Sequence, residues 1–444
     1  MRDYWQFVVD NRRFVAFGFF VAFASSFGQT YFIGVFGPSL QREFELSHTE
    51  WGLVYMLGTI ASAAILPWTG KLIDSVDLLS YTVAVGFALG CACLLMAIVP
   101  GAFVLVVAIF ALRQTGQGLS SHISATSMAR YFEAARGRAI AIAALGFALG
   151  EAMLPFVATQ SIAAIGWRWT YAIAGIIHII VLVPFLWLLL RGHAERHAAT
   201  TAALPAHVVR TGWTRRQVVT DTRFYLMLPG LTAPSLVMTG MFFHHLNVAD
   251  AKTWSHAWIT GSYVIYAITN VLTALVAGHL VDRFSAARLV PAVLLPMIVG
   301  LGILAASASP WVAWIYLALL GISSGLTYTA ITAVWAELYG TQHLGAIRAL
   351  AVAIGVLSSG LGPVTMGLLM DAGIHINEVL WLTVAYGLAG AAMLRFALRR
   401  YWKGTAIVRT SQTERRYCHA VQIGSHARGR FKGMPSLAQA APGA

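Results

Sequence analysis

The chain has 444 residues, of which 58% are hydrophobic and 11% charged, with a mean hydropathy of +0.71. That balance is too apolar for a soluble domain and specifies a polytopic membrane protein. The formal net charge of +13 would point to nucleic acid only if the basic residues gathered in one solvated patch, and their positions exclude that reading.

The first 13 residues, MRDYWQFVVDNRR, lack the apolar core and cleavage site of a signal peptide, so the first helix is expected to remain in the mature protein. Apolar runs of about 20 residues then predict twelve transmembrane helices, near 14–36, 51–73, 78–99, 102–129, 139–161, 168–190, 223–247, 257–281, 289–307, 310–336, 346–370 and 378–397. The fold class is therefore an all-α polytopic membrane protein. The hydrophilic stretch 191–222, which includes TRRQVVTDTRF, reads as a cytoplasmic linker between a six-helix bundle over 1–190 and a second over 223–400. The segment 401–444 has no amphipathic period and reads as a disordered cytoplasmic tail.

If the N-terminus is cytoplasmic, 26 of the 30 Lys and Arg fall on that side, with Arg42, Arg168 and Lys252 outside and Arg113 within a helix. This is the positive-inside asymmetry, so the basic residues report topology and the lipid bilayer rather than nucleic acid. Both termini are expected in the cytoplasm, with the protein in the cell's inner (plasma) membrane. Cys91, Cys93 and Cys418 lack disulfide or metal-ligand spacing, and neither a metal nor a cofactor is expected. Nothing specifies an oligomer, and a monomer is expected.

The two halves repeat. GKLID at Gly70–Asp74 matches GHLVD at Gly278–Asp282 at an offset of 208, as Pro155 matches Pro363, while Gly118 and Gly325 match at 207. Six helices per half give parallel pseudo-repeats about an axis along the membrane normal, with a site between them. Paired GxxxD loops, an intramembrane Arg followed by GQG, and a Gly/Pro-bearing fifth helix resemble the major facilitator superfamily (MFS). More narrowly, SFGQTYFIGVFGP and ARYFEAARGRAIAIAALGFALGEAMLP resemble bacterial carriers related to the monocarboxylate and oxalate/formate transporters. The resemblance implies that Asp74, Asp282, Arg130, Arg283, Glu337 and Arg348 brace an inward gate. Asp74 departs from the family loop, being followed by SVDLL where Arg, Gly and Arg are usual. Gly70 and Gly278 are read as permitting the tight turn into these loops.

Arg113 lies about 16 Å deep at 1.5 Å per residue, too deep to snorkel, and Glu151 falls at similar depth on the neighbouring helix. The two are expected to be able to pair, either as a packing contact or as a working site. In the repeat they fall on Leu320 and Ser359, so packing alone does not demand them. Arg113 is the candidate anchor for an anionic group and Glu151 the candidate proton carrier, with His122 a second titratable group. Gln117, Gln29, Tyr31, Tyr263, Tyr266, Asn270 and Tyr328 are candidate substrate contacts, against the alternative that the aromatic residues only pack. His244 and His245 read as a wet position near the outer mouth, and Pro229 and Pro234 as a kink in the seventh helix.

No P-loop, dinucleotide fingerprint or soluble catalytic domain appears, so no enzyme is expected. The function indicated is secondary active transport by alternating access, as proton-coupled uptake of a small organic anion such as a monocarboxylate. Alternatives are uptake of a neutral or aromatic heterocycle, export of drugs or metabolites, or a membrane sensor without flux. The helix-5 sequence LGEAMLP departs from the GPxxGG pattern of multidrug antiporters.

Overall fold

The structure, a computed structural model, describes residues 7, 9–132, 136–192, 212–340 and 343–399; the predicted tail and most of the predicted linker lie outside the described residues. Met1–Leu394 forms one compact unit, and Arg395–Ala444 a second. Among the described residues ten continuous helices are long and apolar enough to cross a membrane, joined by a bent pair, Arg12–Gly28 with Thr30–Phe44, and a shorter helix, Ala292–Ala306. These fall on the twelve runs read from the sequence and are numbered here as spans 1 to 12 in that order.

Local signals start the helices. Ser47 and Glu50 form a reciprocal capping box at the start of span 2 (His48–Ile73), and Asp77 caps span 3 (Leu78–Ala97). Gly166, at φ 81°, turns the chain between spans 5 (Arg138–Ile165) and 6 (Trp167–Leu190). The outer surface is apolar, with Phe103, Ile180 and Leu275 exposed, while Trp169 and Trp311 stand exposed at helix ends, where an aromatic belt meets the interface.

Span 1 bends by 46° at Gln29, within the run that the sequence reading placed as one helix near 14–36. Span 7 (Thr222–Phe243) runs as one helix through Pro229 and Pro234. Gly70 is helical at φ −63°, and Gly278 lies inside the helix Tyr263–Phe284. Neither glycine makes the predicted turn; the positive φ falls on Ser285.

Within each half the helices meet through small residues. Gly28 of span 1 and Gly116 of span 4 (Ala102–Tyr131) bring their backbones together. Gly321 and Gly325 of span 10 (Val312–Tyr339) do the same against span 8 (His256–Val281). Between the halves, span 2 meets span 11 (Leu350–Asp371) through Gly52, Gly360 and Gly367; span 1 meets span 7 where Gly34 faces Phe242 and Phe243; Phe156 of span 5 meets Gly261 of span 8. Most of these contacts lie in the half of each span remote from the 191–222 linker. On the linker side, spans 2, 4 and 11 diverge around a cleft of about 830 Å³ that runs from Ile60 and Val356 at mid-depth to Lys71 and Arg130 at the face.

Candidate functional site

The sealed seam is an aromatic and polar gate. Trp51 stacks on Phe243 at 4.8 Å and Tyr55 approaches the same ring at 4.7 Å. Asp371, at the end of span 11, accepts the backbone N–H groups of His48 at 3.1 Å and Thr49 at 2.7 Å, so a carboxylate of one half caps the span 2 helix of the other. Asn247 donates to His48 Nδ1 at 3.1 Å, and His244 pairs its Nε2 with the Pro363 carbonyl at 2.9 Å.

The far-face cations have local work. Arg168 pairs with Glu43 at 2.6 Å and donates to the carbonyls of Ala97 and Val99, while the Lys252 Nζ donates to Ser307 O and Asn377 Oδ1, both at 2.9 Å. Burial lowers the Lys252 ammonium pKa below the ordinary lysine value. These residues staple loops, which explains cations on the depleted face.

Beneath the gate sits Arg113, 3% exposed. It opens a π-helical turn, Arg113–Ser120, in which Ser120 Oγ donates to the Thr115 carbonyl at 2.7 Å. The glycine contact between spans 1 and 4 puts the broken end of span 1 beside it, and Arg113 Nη1 donates to Gly28 O at 3.3 Å. Its guanidinium carbon lies 5.1 Å from the centroid of the Tyr55 ring, and its Nε is buried without an acceptor.

The expected pairing with Glu151 is not made. Among the described residues neither an ion pair nor a hydrogen bond reaches the Glu151 carboxylate, although that residue is only 9% exposed. Similar depth on neighbouring helices does not by itself fix azimuth. The π-helical turn and the carbonyl freed at the span 1 break supply Arg113 with a different neighbour.

Spans 1, 7 and 8 together contribute an aromatic cluster. Phe242 lies at its centre, with ring centroids 6.5 Å from Tyr31, 5.2 Å from Tyr263 and 5.0 Å from Tyr266. Tyr31 donates to Ser26 Oγ at 2.8 Å. His244 and His245 are 1% and 2% exposed, which overturns the wet-mouth reading. The chain breaks at His244, directly after span 7, and turns both rings inward, so His245 Nδ1 meets the Tyr263 hydroxyl at 2.5 Å. The sequence counted them as the last turn of a continuous helix and gave no sign of that break.

The remaining candidates scatter. Gln29 is the half-buried residue at the span 1 break, Gln117 and Asn270 are half-buried, and the Tyr328 side chain lies outside the described residues. His122 lines the linker-side cleft, with Thr126 Oγ1 at 3.4 Å. Of the predicted gate, Arg130 donates to Ile73 O at 3.3 Å and Glu337 accepts from Ala287 N at 3.1 Å, each within its own half. Arg283 and Arg348 are exposed, and the side chains of Asp74 and Asp282 lie outside the described residues. Asp371 was missed, although a carboxylate at a helix C-terminus is locally unfavourable and so marks a partner elsewhere.

Over residues 18–363 and 254–407 the sequence matches the family described as Major Facilitator Superfamily. A search of curated proteins returns no match. Among solved structures, a bacterial homologue of the human lysosomal transporter Spinster, inward-facing and unoccupied, superposes with a TM-score of 0.63 at 14% identity, over 88% of this chain and 98% of that one. The nucleoside transporter NupG, as a point mutant, gives 0.67 at 13% identity, over 86% and 99%.

Proposed function

The chain belongs to the major facilitator superfamily, and from that membership we propose that it is a secondary carrier moving a small organic anion of the monocarboxylate class together with protons, by alternating access between two six-helix halves. The single observation that carries the anion reading is Arg113: a guanidinium sealed at mid-depth whose contacts are one carbonyl oxygen at 3.3 Å and one ring face, with Nε left over. A buried cation without a carboxylate partner is costly to keep. Its planar fork of donors suits a carboxylate.

Glu151 supports proton coupling for the complementary reason, since a carboxyl with no cation to offset its burial is favoured in its neutral form. An anion on Arg113 and a proton on Glu151 leave the loaded site without net charge, which lowers the cost of carrying it through a sealed intermediate. The charge asymmetry supports a cytoplasmic linker face; in a plasma-membrane protein of that orientation the cleft at that face corresponds to an inward-facing state. Uptake is the direction proposed. A second reading, a planar heterocycle, is favoured by the ring cluster of Tyr31, Phe242, Tyr263 and Tyr266.

The test is counterflow in proteoliposomes containing the full chain, with labelled lactate, oxalate and acetate as probes and nicotinamide as the neutral comparison. Carboxylate counterflow that disappears in Arg113→Leu, while the variant stays monodisperse, is the expected result. Flux of nicotinamide with no carboxylate flux would replace the anion reading with the second. For Glu151→Gln, counterflow should persist while accumulation driven by a pH step is lost; unchanged accumulation would remove Glu151 as the coupling group.

A further inference from the structure

Tyr55 of span 2 is fully buried, and it touches the deep cation, the broken span and the opposite half at once. We propose that Tyr55 is the positioning residue that links the Arg113 guanidinium to the far-face seam, so that an anion taken up by the fork loosens that seam. The inference rests on the carrier reading above, in which opening the seam is a step of transport.

Trp51 and Tyr55 stand one turn apart on the same face of span 2. Both rings meet Phe243 of the other half, Tyr55 with centroids 4.7 Å apart and planes at 55°. Tyr55 is the deeper of the two, and the guanidinium carbon of Arg113 lies 5.1 Å from its ring centroid. Its hydroxyl shares a 2.5 Å hydrogen bond with Thr30 Oγ1. Thr30 is the first residue of the helix that follows the break in span 1, while Arg113 Nη1 holds Gly28 O, on the other side of that break, at 3.3 Å. Arg113 and Tyr55, in contact with each other, therefore grip opposite sides of one break. The piece of span 1 that begins at Thr30 carries Gly34, where an added Cβ would lie 2.6 Å from Phe242 O and 3.0 Å from Phe243 Cα. It closes on the same part of span 7 that Tyr55 touches.

The physical link is the attraction between a cation and the face of a ring, which is strongest where water is excluded. A carboxylate on the fork offsets the charge that the Tyr55 ring faces and draws the guanidinium donors away from Gly28 O. Both grips weaken together. The rings that must part when the far face opens, Tyr55 and Phe243, then part at lower cost. A tyrosine that only filled space would leave the seam indifferent to the cation.

Alkylation of a seam cysteine tests this without a substrate. Val364 of span 11 is buried where Gly52 of span 2 packs against its backbone. In a background with Cys91, Cys93 and Cys418 replaced, Val364→Cys should react with a membrane-impermeant maleimide on the far face of sealed vesicles in proportion to seam opening. Arg113→Leu should raise that rate at least about fivefold, the scale of a buried cation–ring contact. In Tyr55→Leu the rate starts high, and adding Arg113→Leu should change it by no more than about twofold, the ordinary limit of additivity. Tyr55→Phe keeps the ring and gives up the Thr30 bond, and in that background the response to Arg113→Leu should return to about fivefold. A response to Arg113→Leu that is absent, or that is equal with and without Tyr55→Leu, overturns the link, as does failure of Tyr55→Phe to restore it. Should Tyr55→Leu fail to fold, Phe243→Leu cuts the same path one step further on, and a full response to Arg113→Leu there sinks the proposal. Absence of carboxylate counterflow would remove the anion reading and leave these rates as they are, so the two failures are distinguishable.

Discussion

At the scale of single residues, the energetic problem is a guanidinium that, among the described residues, meets one carbonyl and one ring face. Arg113→Lys keeps the charge but gives up the rigid fork, so KM for carboxylates should rise at least about tenfold, the loss of one charge-assisted hydrogen bond, with the protein still folded. An unchanged KM in that variant would show that the fork is not used. Gly116 states the packing constraint on the same site. A Cβ there would lie 2.7 Å from the Gly28 backbone, so Gly116→Ala should destabilise by about 1–3 kcal/mol through overpacking. A thermal midpoint equal to that of the unsubstituted protein would contradict the close crossing. Arg113 and Glu151 stand out in the sequence because a charge amid apolar residues is conspicuous. Their failure to pair is not visible there, since it depends on the azimuth that the Arg113–Ser120 turn gives the side chain.

At the scale of elements, the seam between spans 2 and 11 is held by a side chain capping a helix of the other half. Asp371 accepts from two N–H groups at the start of span 2, where the helix dipole favours a negative charge. Removing such a cap costs about 1 kcal/mol, or roughly fivefold in a two-state population. Asp371→Ala should therefore move the protein toward the far-face-open state. In a background lacking the native thiols, Met56→Cys, whose neighbour across the seam is Gly360, should be alkylated from the far face several-fold faster when Asp371 is Ala. Equal rates would mean that the cap does not hold the seam. Helix existence was legible throughout, because each span is an apolar run. The bend at Gln29 and the break at His244 were not legible, because neighbouring helices decide where a local breaker is obeyed.

At the scale of the whole molecule, contacts between the halves crowd the far side while a cleft opens on the linker side. Alternating access requires these to exchange. Cysteines at Ala63 and Val356, which line the cleft, should react with a membrane-impermeant thiol reagent from the linker face, and a bound carboxylate probe should slow both reactions together. Protection of one position alone would argue against a rigid-body exchange of the halves.

The sequence alone determined the helical type of the spans and the asymmetry of charge, because lipid leaves an apolar helix as nearly the sole way to satisfy a crossing backbone. It also marked the deep Arg113 and Glu151, because a charge in an apolar run has no local justification. Which groups meet was decided only by the tertiary structure: Asp371 on span 2, Arg113 on the broken end of span 1, and His245 on Tyr263. Such contacts join residues far apart in the chain, and their formation depends on helix rotation and on breaks whose energies are small beside the burial that makes the spans.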